Sequence, residues 1–117
     1  MPRDVRLYLD DIVEAADRVL EYVAGMDFDQ FTADQRTVDA VVRHLEIIGE
    51  AARSLPEELT VTSSEIEWRK IVGLRNILIH QYFGINRKIV WDIVQNKLSP
   101  LKSACERMRE SDDKTAC

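Results

Sequence analysis

Glycine and proline are scarce in this chain, at 4 and 3 of 117 residues, which disfavours a turn-rich all-β architecture and leans the composition towards helix. Cysteine is scarcer still. Cys105 falls on an apolar helical stripe and Cys117 is the last residue given, so neither a disulfide framework nor a zinc site has its spacing. Only two histidines occur, His44 and His80, too few for a His-rich metal centre. No apolar run approaches the roughly 20 residues that span a bilayer. Met1-Pro2-Arg3-Asp4 leads straight into a charged amphipathic stretch, so no secretory leader is expected and a soluble cytoplasmic protein is the default. There is no glycine-rich phosphate loop, no His-Glu-x-x-His and no Gly-x-Ser-x-Gly. These absences set aside nucleotide-loop enzymes, zinc hydrolases and serine hydrolases of the familiar kinds.

Apolar residues make up 45% of the sequence, enough to fill the core of one domain and too short a chain for two. Net charge is −5, but it is unevenly spread. Residues 1–67 carry 6 basic and 16 acidic groups, and residues 92–117 carry 5 of each. Residues 68–91 carry Arg69, Lys70, Arg75, Arg87 and Lys88 with no acid at all. That segment is either a helix face that pairs with acidic neighbours or a local phosphate-binding surface, and charge alone leaves both open.

Apolar periodicity predicts a bundle of helices. The first spans 3–24, with Val5, Leu9, Ile12, Val13, Ala16, Leu20 and Val23 on one face and Gly25 as its stop. Residues 26–31 read as a connection whose two phenylalanines pack on the core. The second helix opens on the capping box Thr32-Ala33-Asp34-Gln35 and buries Val38, Val41, Val42, Leu45, Ile48, Ala52 and Leu55 before Pro56 ends it. A polar loop covers 56–63. The third helix opens on Ser64-Glu65-Ile66-Glu67 and runs to about Tyr82, with Gly84 as a left-handed cap. The fourth starts at Asn86-Arg87 and carries the seam Trp91, Val94, Leu98, Leu101, Cys105 and Met108. At Pro100 it either kinks or restarts, with Ser99 as cap and Pro100 in the first turn. Residues 1–109 form the domain, and 110–117 a frayed or disordered polar tail. The expected fold is all-α, an antiparallel bundle of four helices, or five if Pro100 breaks the last.

The chemistry concentrates in Arg75-Asn76-Ile77-Leu78-Ile79-His80-Gln81-Tyr82, at the centre of the basic segment. Arg75 and Tyr82 are seven apart and share a helix face. Arg75 and His80 are five apart, about 140° around an ideal helix. They meet only if the helix ends or distorts near His80, or if two copies of the chain face each other. An Arg and a His without a metal-ligand set suit cleavage of RNA. The 2′-hydroxyl is a built-in nucleophile, a histidine exchanges a proton near neutral pH, and an arginine stabilises charge on the phosphoryl oxygens. A histidine near a helix end equally serves as a capping or core residue, and the spacing does not decide between the two.

Arg75-Asn76-x-x-x-His80-x-Tyr82 resembles the Arg-x4-His-x-Tyr signature of HEPN-domain ribonucleases of the HepT-like branch. Trp68-Arg69-Lys70-Ile71-Val72-Gly73-Leu74 is similar to that branch's approach to the motif, Phe83-Gly84-Ile85 to its exit, and residues 41–52 to its second helix. The resemblance implies a HEPN-like homodimer in which Arg75 and His80 form the catalytic pair in a composite cleft between two copies. Asn76 is then an auxiliary polar residue. Tyr82 is the acceptor to which a minimal nucleotidyltransferase antitoxin attaches AMP, placing a bulky anion beside the cleft. The implied activity is a toxin that cleaves cellular RNA without a metal or other cofactor. Arg69, Lys70, Arg87 and Lys88 are the candidates for holding RNA phosphates. His44, Trp68 and Trp91 are expected to be packing residues, although Trp68 borders the basic segment. The competing reading is a non-catalytic helical module that dimerises and docks a nucleotidyltransferase.

Overall fold

The computed structural model describes residues 4–74, 76 and 86–115, with side chains through Ser111. Its elements are α1 (Val5–Val23), α2 (Phe28–Ala33), α3 (Gln35–Arg53), α4 (Glu57–Thr60), a 3₁₀ turn (Val61–Ser63), α5 (Trp68–Val72), α6 (Arg87–Asn96) and α7 (Leu98–Thr115). Among the described residues there is no strand, and the all-α expectation holds.

The long helices follow the apolar stripes. In α1, Leu9, Ile12, Val13, Ala16, Val19 and Val23 are buried at helical spacing, and Asp4 caps the start by accepting from the Arg6 amide at 2.8 Å. Gly25 follows at φ 78°, a backbone state only glycine adopts without strain. Helix α3 buries Val38, Val41, Val42, Leu45, Ile48, Gly49, Ala51 and Ala52. Helix α1 is the central element: it packs along α3 on one side and α7 on the other. The seam of the last two helices is buried as expected at Val94, Leu98, Leu101, Cys105 and Met108. Two ion pairs at its edge, Lys102 to Asp17 at 2.5 Å and Arg109 to Asp10 at 3.1 Å, join α7 to α1.

Four local expectations are corrected. Residues 26–31 are not a plain connection. A capping box closes on Asp27 and Gln30, with Gln30 N–H to Asp27 Oδ1 at 2.8 Å and Asp27 N–H to Gln30 Oε1 at 2.9 Å. The short helix α2 it starts carries Phe31 into the core at 0% exposure. The cap of α3 is therefore Asp34, which accepts from Thr37 N–H at 3.1 Å, and not Thr32, which lies within α2. Residues 56–63 are a helical turn followed by a 3₁₀ turn, not an open loop. Ser64 does not start the next helix: α5 begins at Trp68, whose indole N–H donates back to the Ser63 carbonyl at 3.0 Å.

The last helical stretch breaks at Lys97, so restart rather than kink describes it. The Lys97 carbonyl already accepts from Leu101 N–H at 3.2 Å. Pro100 thus sits in the first turn of α7, where its missing N–H leaves no gap in the ladder, and Ser99 is inside the helix rather than at its cap. Helix α7 continues to Thr115, beyond the point where the apolar stripe stops.

Candidate functional site

The motif segment is framed by two anchored helices. On the entering side, α5 buries Ile71 and is followed by Leu74, also buried at 3% exposure. On the leaving side, Asn86 caps α6 as expected, its Oδ1 accepting from Lys88 N–H at 3.0 Å and Ile89 N–H at 3.2 Å. Val90, one turn into α6, is fully buried. Helix α6 is held from behind by aromatic packing: Trp91 lies 5.0 Å from Phe31 and 6.3 Å from Phe28, centroid to centroid. Within the frame, Asn76 is helical and exposed. Arg75, His80 and Tyr82 lie outside the described residues, and so does the expected Gly84 cap.

The four expected phosphate-binding cations are not equivalent. Lys70 pairs with Glu67 at 2.8 Å, and Lys97 stands 3.6 Å from the other oxygen of that carboxylate. The hydrogen bond to Lys70 holds Glu67 below the ordinary carboxylate range, and the same bond raises Lys70. Arg87 reaches across to the junction of α2 and α3, donating to the Thr32 carbonyl and, at 2.5 Å, to Gln35 Oε1. Gln35 in turn donates its amide to Asp39 at 2.8 Å. The guanidinium of Arg87 is thereby committed to tying α6 to the rest of the fold. Arg69 and Lys88 are exposed and have no side-chain partner among the described residues.

The remaining singled-out residues behave as packing groups. His44 Nδ1 lies 2.7 Å from the Ala40 carbonyl, one turn back on its own helix, and the ring meets Tyr22 edge-on at 5.4 Å. Cys105 is fully buried, and desolvation pushes its thiol up to about 12. Among the described residues no group of His, Cys, Asp and Glu side chains is arranged to hold a metal, and no helix is long and apolar enough to cross a membrane. Sequence reasoning passed over Arg53, exposed at the end of α3. It stands 16 positions before Arg69, and no local pattern links the two.

The profile of a family described as ribonuclease HepT-like matches residues 12–108. A protein of Methanocaldococcus jannaschii, provisionally named an RNase, is 46% identical over 99 residues, covering 84% of this chain and 82% of its own. A second protein of that organism with the same provisional naming is 40% identical over 104 residues, covering 89% and 95%. A protein of Thermococcus cleftensis, provisionally named ribonuclease HepT, is 37% identical over 110 residues, covering 94% of this chain and all of its own. No solved structure matches. On the extent of the profile match and the coverage of these relatives, the chain belongs to the ribonuclease HepT-like family.

Proposed function

We propose that this chain is a metal-independent endoribonuclease, the toxin of a toxin–antitoxin pair, active as a homodimer. The observation that carries the reading is the complete Arg75-x4-His80-x-Tyr82 set in a chain of the HepT-like family, on a segment whose flanks carry only basic charge. In the reaction, the RNA 2′-oxygen bonds to the adjacent phosphorus and the bond from phosphorus to the 5′-oxygen breaks. A histidine takes the proton from the 2′-hydroxyl, and a proton is returned to the departing 5′-oxygen. His80 is the proton carrier, and Arg75 neutralises charge on the non-bridging oxygens as it builds. On an ideal helix a spacing of five positions is about 140°, so a cleft built from two copies would bring together what such a spacing sets apart. Asn76 is an auxiliary polar contact, and Arg69 and Lys88, exposed and without a side-chain partner among the described residues, hold flanking phosphates.

Tyr82 is the regulatory acceptor. A nucleotidyltransferase antitoxin joins the phenolic oxygen to the α-phosphorus of ATP as the phenol gives up its proton and the bond to pyrophosphate breaks, leaving AMP on the tyrosine. A bound AMP adds bulk and negative charge beside the cleft, so RNA phosphate is repelled and the site is blocked. The test is growth arrest on induction in cells. Arg75→Ala and His80→Ala each relieve arrest while the protein stays folded, whereas retained arrest in either removes that residue from the mechanism. Relief by neither, together with RNA left intact by the wild type, points instead to a docking module for the nucleotidyltransferase.

A further inference from the structure

A groove of about 310 Å³ runs between the end of α3, α4 and the start of α5. Arg53 and Arg69 line it from two different helices, and Trp68, Val72 and Glu57 are also on its wall. Both arginines are exposed, and neither has an ion-pair partner among the described residues. In a chain of net charge −5, two guanidinium groups lining one groove offer an anion two positive charges. Trp68 is half-buried, and its indole N–H is already spent on the Ser63 carbonyl at 3.0 Å. What it offers the groove is ring surface, which suits a nucleobase. Arg69 precedes Leu74, the residue before the motif, by five positions.

From this placement we infer that the groove is a subsite for single-stranded RNA, in which Arg53 and Arg69 bind backbone phosphates flanking the scissile bond and Trp68 stacks on a base. The inference rests on the ribonuclease reading and deepens it. Arg53 and Arg69 are positioning residues: they set where the strand lies and take no part in proton transfer. Glu57 opposes the strand and limits affinity, keeping the product from being held. Arg69 differs from Lys70, which is ion-paired with Glu67, and from Arg87, which is hydrogen-bonded to Thr32 and Gln35.

The test uses the full chain carrying His80→Ala, a fluorescein-labelled single-stranded RNA of about ten nucleotides, and anisotropy in EDTA over a range of salt. Arg53→Ala and Arg69→Ala are each expected to weaken binding roughly tenfold and to flatten the salt dependence by about 0.7 in log–log slope per arginine. Arg69→Lys is expected to restore most of the affinity, and Glu57→Gln to tighten it. RNA is expected to quench tryptophan emission in the parent and not in Trp68→Phe, where Trp91 remains packed on Phe28 and Phe31. In the otherwise native chain, Arg53→Ala raises KM and leaves kcat near its original value. Unchanged RNA affinity in both arginine variants, or no RNA binding by the parent, overturns the groove. An oligoglutamate peptide that binds as tightly as RNA and with the same dependence on Arg53 overturns it in favour of an acidic protein partner. The two readings fail separately. Cleavage that depends on His80 but not on Arg53 or Arg69 removes only the groove. Binding that depends on both arginines with no cleavage removes only the nuclease.

Discussion

Truncation of Phe31 to alanine tests how the frame around the motif is held. Phe31 is at 0% exposure on a six-residue helix that has no other buried side chain. Its ring stacks at 5.0 Å, tilted by 34°, on Trp91 of α6. Removing a fully buried phenylalanine costs about 3–5 kcal/mol, transfer and cavity together, of which about 0.5–1.5 kcal/mol reflects the ring pair. Phe28 supplies the internal control. It is half-buried and 6.3 Å from the same indole, so Phe28→Ala is expected to cost only about 1–2 kcal/mol. Against a total stability of about 5–15 kcal/mol, the Phe31 change removes a large share. With a urea slope of about 2 kcal/mol/M, the midpoint falls by on the order of 2 M. The assay is equilibrium urea denaturation followed by tryptophan emission and circular dichroism at one fixed protein concentration, since any self-association makes stability concentration-dependent. A loss below about 1 kcal/mol at Phe31, or equal losses at Phe28 and Phe31, would refute the claim that α2 anchors α6 through this ring.

Three further outcomes follow from the same physics. Cys105, with its thiol pushed up to about 12 by burial, is expected to resist alkylation in the folded protein at pH 8 and to react once urea unfolds it; rapid native-state labelling at Cys105, located by peptide mass, contradicts that. Asp34 is held below its ordinary value of 3.8, chiefly by the Thr37 backbone N–H. A carboxylate lowered by folding stabilises above its unfolded value and loses that contribution as pH falls through the folded one, so Asp34→Asn is expected to flatten the acid limb of stability below about pH 4, and an unchanged limb counts against the cap. Tyr82→Phe is expected to remain toxic yet take up no AMP from the nucleotidyltransferase, and an AMP mass shift on that variant rejects Tyr82 as the acceptor.

The long elements were legible because they are long. Over 19 residues each, α1 and α3 repeat their apolar positions five times or more, and the 3.6-residue period cannot be mistaken. Asn86 was legible as a cap because nothing nearby competes with it. Between residues 27 and 37 three overlapping cap signals compete: Asp27 with Gln30, Thr32 with Gln35, and Asp34 with Thr37. A six-residue helix shows too little periodicity to choose among them, and burial of Phe31 makes the choice. The same shortness hid α4 and moved the start of α5 from Ser64 to Trp68, where an indole hydrogen bond outweighs a hydroxyl cap. Pro100 signalled a break correctly but not its place, because proline fits any of the first positions of a helix.

The candidate site divides along the same line. The Arg75, His80 and Tyr82 set is a local string and could be read as one, together with its likeness to a family. The commitment of Arg87 to Thr32 and Gln35 spans more than 50 positions, and the presence of Arg53 and Arg69 on one groove depends on α3 packing against α5. Neither leaves a trace in spacing. By charge alone Arg69, Lys70, Arg87 and Lys88 form one class, and only the fold separates Lys70 and Arg87, which are engaged, from Arg69 and Lys88, which have no side-chain partner among the described residues.

The most direct test of the central claim is cleavage of total RNA by the purified chain in EDTA, beside Arg75→Ala and His80→Ala, after intact mass has established that Tyr82 carries no AMP. The expected result is cleavage by the unmodified chain and a loss of at least a hundredfold in each variant, the scale of a missing proton carrier or charge stabiliser. Cleavage that EDTA abolishes, or that survives in His80→Ala, would contradict it.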